Sequence, residues 1–245
     1  DKKRAQHPDL VSHLRLEPRW QGRPAFINGF REARSWLEPR HTLHVDLAPA
    51  VKDILAQMKP KGRYNIRVAR KRGVSIVEDM SVRGGMDFIR IYGETMSRHG
   101  LDGKQEIYLL DLIDVLAETR CGSLFFAEFG GERIAAAMVV FFGDRATYFF
   151  GGSLPRHRQV MAPYLLHFEA MLKAKSRGYR WYDFYGVAPP ERENHRWANI
   201  SAFKRKFGGQ ELSFGPALDL IYDTEAYEAY RRRKVSKSAE KTPHT

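Results

Sequence analysis

Cysteine is nearly missing from these 245 residues. The single Cys121 excludes an internal disulfide framework and any CxxC zinc or redox site. No apolar run approaches the ~20 residues that cross a bilayer. The nearest, Phe125 to Gly143, is cut by Glu128, Glu132 and Arg133. Acidic residues are absent between Lys59 and Arg72. These absences predict a soluble chain in a reducing, cytoplasmic compartment. The chain also opens on Asp1 rather than Met, and its first ten residues resemble the interior of a domain, so a missing start is expected.

What is present suffices for a core. Hydrophobic residues make up 43% of the chain and aromatics 12%, which excludes global disorder and suits one large domain or two small ones. The net charge is +12 and unevenly placed. Lys59, Lys61, Arg63, Arg67, Arg70, Lys71 and Arg72 form one cluster without an acid. From Ala226 onward, six basic residues stand against Glu228 and Glu240. Two cationic patches on an otherwise near-neutral chain point to a polyanionic partner: nucleic acid, a phosphorylated substrate or an anionic membrane face.

Periodicity predicts a strand at His13–Glu17, a turn-rich stretch with Trp20, Gly22 and Pro24, and a strand at Thr42–Leu47. A helix over Pro49–Met58 is interrupted by Pro60, and a second follows over Tyr64–Arg72, placing Arg63, Arg67 and Arg70 on one face. A strand at Val74–Val77, helices at Met86–Arg98 and Ile107–Arg120, and a three-stranded meander from Ser123 to Gly151 come next. Gly130-Gly131 and Gly143-Asp144 supply its turns. A helix over Ala162–Arg177, a strand at Trp181–Phe184 and a hairpin near Gly208–Gly215 complete an α+β fold around a mixed sheet. His41 and His44 find no third ligand, so no metal is expected, and Cys121 reads as a packing residue.

The order helix, helix, three strands, helix, strand resembles the GNAT acyltransferase fold. The loop that would hold coenzyme A pyrophosphate corresponds to Arg156–Pro163, which has no glycine and carries Pro163, so acetyl-CoA is an unsuitable donor. Three stretches carry a closer resemblance: Lys59–Val74, Met96–Gly100, and Trp181–Val187 with Ile200–Gly209. Together they resemble the FemABX family, from about Leu14 to Tyr230. The resemblance implies a GNAT-like acyltransferase fold with one complete domain plus the remnant of a second. Residues 1–45 would be the remnant, 46–225 the second GNAT-like domain, and 226–245 a basic helix or tail.

The implied activity moves an amino acid from aminoacyl-tRNA to an amine of a peptidoglycan precursor stem peptide, on lipid II or its soluble nucleotide form. It would be run by a monomer at the inner membrane face without a cofactor. Lys204 matches the lysine that stabilises the oxyanion, and Phe203 packs against the tRNA end. A plain reading of Phe203–Phe207 puts Lys204 on a solvated strand instead. Arg98 matches a phosphate-gripping arginine, with the ordinary alternative of a cation at a helix end. Tyr148 would line the precursor groove, or simply fill the core. Glu17 would stand near the attacking amine, where relatives carry aspartate, or be a surface acid before Pro18. Arg63, Arg67 and Arg70 would follow tRNA phosphates, unless they form a solvated face. Asp183 is read as organising the turn into Gly186. Two other functions remain open: a GNAT-type N-acyltransferase using another acyl donor on a peptide or polysaccharide-linked amine, and a non-catalytic RNA- or membrane-binding module.

Overall fold

The computed structural model describes residues 11–20, 27–192 and 194–239, with side chains to Arg232. Its contacts divide the chain into two compact units, residues 41–212 and residues 1–40 with 213–245. The family resemblance places boundaries at 45/46 and 225/226. Gly22, Pro24, the first ten residues and the last six lie outside the described residues, as do the tail's basic side chains beyond Arg232.

The larger unit is built on a seven-stranded mixed sheet. In chain order its strands are β3 (His41–Asp46), β4 (Ser75–Glu78), β5 (Gly122–Phe129), β6 (Glu132–Phe142), β7 (Arg145–Ser153), β8 (Trp181–Gly186) and β9 (Gln210–Ser213). Their spatial order is β4-β5-β6-β7-β8-β3-β9. The meander follows from its turns: Gly130 and Gly131 both take positive φ, +59° and +80°, which a tight hairpin requires. β7 and β8 run parallel, joined by a helical crossover, whereas β4–β5, β5–β6, β6–β7 and β3–β8 are antiparallel.

Helices cover both faces of this sheet. α1 (Val51–Ala56) and α2 (Pro60–Lys71) are separated by three residues. Pro60 does not interrupt a helix, as the sequence suggested; it begins α2. The first helical turn has no acceptor for its N–H groups, so proline is tolerated there. α3 (Val82–Arg98) is capped by the Ser81 hydroxyl, which accepts from Gly84 N at 3.2 Å. It buries Phe88, Ile91, Tyr92 and Thr95, spaced for one face. α4 (Glu106–Thr119) buries Leu109, Ile113 and Leu116. α5 (Ala162–Ser176), the crossover between β7 and β8, is buried around most of its surface. α6 (Ala198–Lys204) passes into a 3-10 turn, Arg205–Phe207.

One core cluster joins Leu43, Val45, Ile66, Phe168, Phe184 and Phe207; the other joins Phe88, Ile91, Ile113, Phe126 and Met138. Strand alternation divides β6 between them: Ala135, Ala137 and Val139 enter the first, Ala136 and Met138 the second.

The smaller unit contains β1 (His13–Leu16), β2 (Arg31–Glu32), β10 (Leu218–Ile221) and α7 (Thr224–Ala239). β10 lies between β1 and β2, antiparallel to both. The expected hairpin near Gly208–Gly215 is therefore absent, because β9 and β10 enter different sheets. Asp219, fully buried, accepts two 2.7 Å bonds from Arg15 and one of 2.6 Å from the Tyr227 hydroxyl, which fixes β10 to β1.

Cys121 is exposed rather than packed. It follows Arg120, the left-handed residue (φ +54°) that ends α4, and precedes the first residue of β5.

Candidate active site

The parallel ladder between β7 and β8 is short. It pairs Arg145 with Trp181, Ala146 with Tyr182 and Thr147 with Asp183, then stops. Beyond it, β7 continues to Ser153 and β8 to Gly186. The β6–β7 register shifts at the same place, Val139 facing Tyr148 and Met138 facing Phe150, so Phe149 is a bulge. Bulges bend a strand and re-aim its side chains.

Tyr148, the first β7 residue past the ladder, lies beside Lys204, the last residue of α6. The Lys204 ammonium sits 5.6 Å from the Tyr148 ring centroid and donates a 2.7 Å hydrogen bond to the carbonyl of Gly186, which ends β8. Lys204 is only 6% exposed. The solvated-strand alternative is thus overturned: the segment is helical, and Ser201, Lys204 and Phe207 fall on its buried side. Burial draws the Lys204 pKa from 10.5 down to about 8, opposed by the Asp183 carboxylate. At pH 7, below that value, the ammonium form predominates. An ammonium has three N–H donors, and one is taken by Gly186.

Further aromatic rings pack on Tyr148 and on Phe203, the neighbour of Lys204. His167 of α5 lies edge-on to Tyr148, with ring centroids 4.4 Å apart, and shares a 2.9 Å hydrogen bond with the Tyr182 hydroxyl. Burial, with the Lys204 charge adding to it, pulls the His167 pKa down to about 3, so the ring is neutral. Burial also raises that of Tyr148. Phe203 is half-buried against Tyr164, Phe207 and His167, with centroids 5.0 to 5.6 Å apart. His167 escaped the sequence reading because an isolated histidine in an apolar helix carries no spacing signal.

Glycines allow the close packing. A Cβ at Gly151 would stand 2.7 Å from the Tyr148 hydroxyl and 2.5 Å from the Ala136 carbonyl. Gly208 and Gly209 both have positive φ, +74° and +86°, and press on the backbones of Gln57 and His44.

Asp183 accepts from Tyr185 N at 2.7 Å and from the Thr42 hydroxyl, and lies 3.3 Å from His44 Nε2. Tyr185 takes a left-handed φ of +59°, so the carboxylate holds a strained turn that leads to Gly186 and hence to Lys204.

Arg98, at the end of α3, is exposed and donates a 2.8 Å hydrogen bond to the Ser153 carbonyl at the end of β7. It borders an open groove of about 450 Å³ with Glu94, Ser97 and Pro155. Of the basic row, Arg63 donates to the Met58 and Ala56 carbonyls and so caps α1. Arg70 pairs with Glu169 at 2.7 Å. Arg67 is exposed. Glu17 belongs to the smaller unit, where its two oxygens each accept a 2.7 Å bond, from Leu37 N and Glu38 N. Among the described residues no cluster of three or more His, Cys, Asp or Glu is placed to hold a metal, and no helix is long and apolar enough to cross a membrane.

Comparison with known proteins agrees with this frame. The model of the FemAB family matches residues 27–128 and 117–215. A curated relative, aminoacyltransferase FemB of Staphylococcus epidermidis, is 34% identical over 79 residues, 31% of this chain and 19% of the relative. The crystal structure of FemX matches with a TM-score of 0.83 at 16% identity, over 93% of this chain and 76% of that one. The structure of L-PGS from Bacillus licheniformis shares the fold more distantly, with a TM-score of 0.51 at 12% identity over 82% of this chain and 65% of that one.

Proposed function

The chain belongs to the FemAB family, and from that premise we propose that it is an aminoacyltransferase acting in peptidoglycan biosynthesis. The donor is an aminoacyl-tRNA, and the acceptor is an amine on the stem peptide of a peptidoglycan precursor, lipid-linked or soluble. The frame is read as GNAT-like, with the split between β7 and β8 as the place of reaction.

One observation carries this reading: a buried lysine with one of its three N–H donors taken by the Gly186 carbonyl, standing where the parallel ladder ends. The acceptor amine attacks the ester carbonyl, forming a C–N bond and placing negative charge on the carbonyl oxygen. The Lys204 ammonium donates to that oxyanion. Collapse breaks the ester C–O bond, the ribose oxygen leaves and takes the proton lost by the amine, and an amide remains. The ester is already activated, so positioning and oxyanion stabilisation are the main demands on the protein. A preorganised donor of this kind supplies roughly 3–4 kcal/mol of transition-state stabilisation. In this reading Phe203 and Tyr148 shape the walls of the reaction space, and neutral His167 supports Tyr148 from behind.

Arg98 suits a precursor phosphate, because its guanidinium is permanently charged and exposed; one terminal nitrogen donates to Ser153 and the other meets His99 Nε2 at a long 3.4 Å. Tyr148 and Ser153 are five residues apart on β7, roughly 15 Å along a strand, comparable to an extended peptide of five residues. A precursor held by a phosphate at Arg98 could therefore present a stem-peptide amine near Lys204. Glu17, with both oxygens engaged, is read as a structural anchor.

The test incubates the purified protein with charged tRNAs and a labelled soluble precursor and looks for a new amide. Transfer from one or more charged tRNAs supports the reading. Transfer only from acyl-coenzyme A, with every charged tRNA inert, overturns the donor and leaves the other N-acyltransferase reading.

A further inference from the structure

Helix α2 has no acidic residue, and its packing sorts its cations into two groups. Arg63 and Arg70 serve the fold, one capping α1 and the other pairing with Glu169. Lys61, Arg67 and Lys71 stand exposed, and among the described residues none of them forms an ion pair. Tyr64 stands among them with 52% of its surface in solvent. Spacings of three, three and four residues set Lys61, Tyr64, Arg67 and Lys71 in one stripe along the helix. The Lys61 ammonium lies 5.2 Å from the Tyr64 ring centroid.

An exposed ring bordered by cations matches a particular ligand chemistry. Every nucleobase offers a π-face to an aromatic side chain, and the linking phosphates need positive charge on either side. In a duplex the base faces are already stacked and unavailable, so the stripe favours an unpaired strand. A membrane surface fits less well, because Tyr64 is the sole apolar side chain in the stripe and a helix lying in an interface needs a broad apolar face. Its position adds a second argument. Lys59 N donates to the Lys206 carbonyl at 3.0 Å, and Gly62 approaches so closely that a Cβ would lie 2.5 Å from the same oxygen. The stripe thus begins against the turn that immediately follows Lys204.

We propose that the Lys61–Tyr64–Arg67–Lys71 stripe binds an unpaired segment of RNA, one base stacked on Tyr64 and the adjoining phosphates on the three cations. The proposal rests on the aminoacyl-tRNA reading and assigns to this stripe the single-stranded end that carries the ester.

Fluorescence anisotropy with a labelled single-stranded RNA of about 12 nucleotides ending in CCA, and with a blunt duplex, tests it. Tyr64→Ala should weaken single-strand binding about 5- to 140-fold, the range for one stacked base, while Tyr64→Phe retains it. Replacing Lys61, Arg67 and Lys71 by Gln should flatten the slope of log affinity against log salt by about 2. All four positions are exposed, and thermal melting verifies that each variant folds. Unchanged single-strand affinity in Tyr64→Ala overturns the proposal. So does duplex binding as tight as single-strand binding, or binding to phosphatidylglycerol vesicles that depends on Tyr64 when RNA binding does not. The aminoacyl-transfer assay separates this from the activity: transfer without Tyr64-dependent RNA binding removes the stripe alone, and Tyr64-dependent RNA binding without transfer removes the donor reading alone.

Discussion

Replacing Lys204 with Met should cost activity while leaving the fold intact or strengthening it. The fold lowers the Lys204 pKa from 10.5 to about 8, and at 1.36 kcal/mol per pKa unit the buried charge carries a penalty of about 3 kcal/mol below pH 8. Methionine is similar in volume and relieves that penalty. It also leaves the Gly186 carbonyl without its donor, a loss of about 1–3 kcal/mol. The two nearly cancel, so Lys204→Met should lie within about 2 kcal/mol of the wild type at pH 7, on the stable side. The pH dependence is more diagnostic. Between pH 8 and 10.5 the unfolded lysine holds its proton and the folded one does not, so wild-type stability attributable to this group rises with pH across that window. Lys204→Met lacks this rise. Urea unfolding followed by circular dichroism from pH 7 to 10.5, on both proteins, measures the difference. A variant more than 3 kcal/mol less stable at pH 7, or two curves that stay parallel through the window, would refute the reasoning.

Other substitutions separate structural from chemical roles. Gly151→Ala forces a Cβ against the Tyr148 hydroxyl and the Ala136 carbonyl, so it should lose about 1–3 kcal/mol of stability by thermal melting and slow transfer by displacing Tyr148. Asp183→Asn removes the carboxylate that opposes the fall in the Lys204 pKa, so the alkaline limb of kcat/KM should move below pH 8; an unmoved limb would separate Asp183 from Lys204. Glu17→Gln keeps one acceptor oxygen and sets its NH2 against the other backbone N–H of Leu37 and Glu38, so about 1–3 kcal/mol of stability should be lost with kcat retained. A fall in kcat without loss of stability would instead support the sequence expectation that Glu17 assists the attacking amine.

Local pattern made much of the frame legible. α3 and α4 show their buried faces at helical spacing, and Gly130-Gly131 announces the β5–β6 turn, so these elements fall within a few residues of their expected positions. Long-range pairing was not legible. β10 sits beside β1, some 200 residues away, and nothing in Gly208–Gly215 marks that it leaves β9 for another sheet. Pro60 misled because proline ends helices more visibly than it begins them, though both follow from its missing N–H. Lys204 was singled out by family resemblance, while its neighbours Arg205 and Lys206 suggested a solvated run. Only tertiary packing turns Lys204 inward beside Ser201 and Phe207. His167 was hidden for the same reason, since its partner Tyr182 lies on another element. The basic row shows the reverse: Arg63, Arg67 and Arg70 share a face by spacing, but two of them find partners that spacing does not show.

The central claim is that the Lys204 ammonium stabilises the oxyanion formed when an amine attacks an aminoacyl ester. Single-turnover transfer of a labelled amino acid from charged tRNA to a soluble stem-peptide precursor, comparing the wild type with Lys204→Met, tests it most directly. The account predicts a transfer rate about 100- to 1,000-fold lower in Lys204→Met, with acceptor affinity unchanged. Equal transfer rates in the two proteins would contradict it.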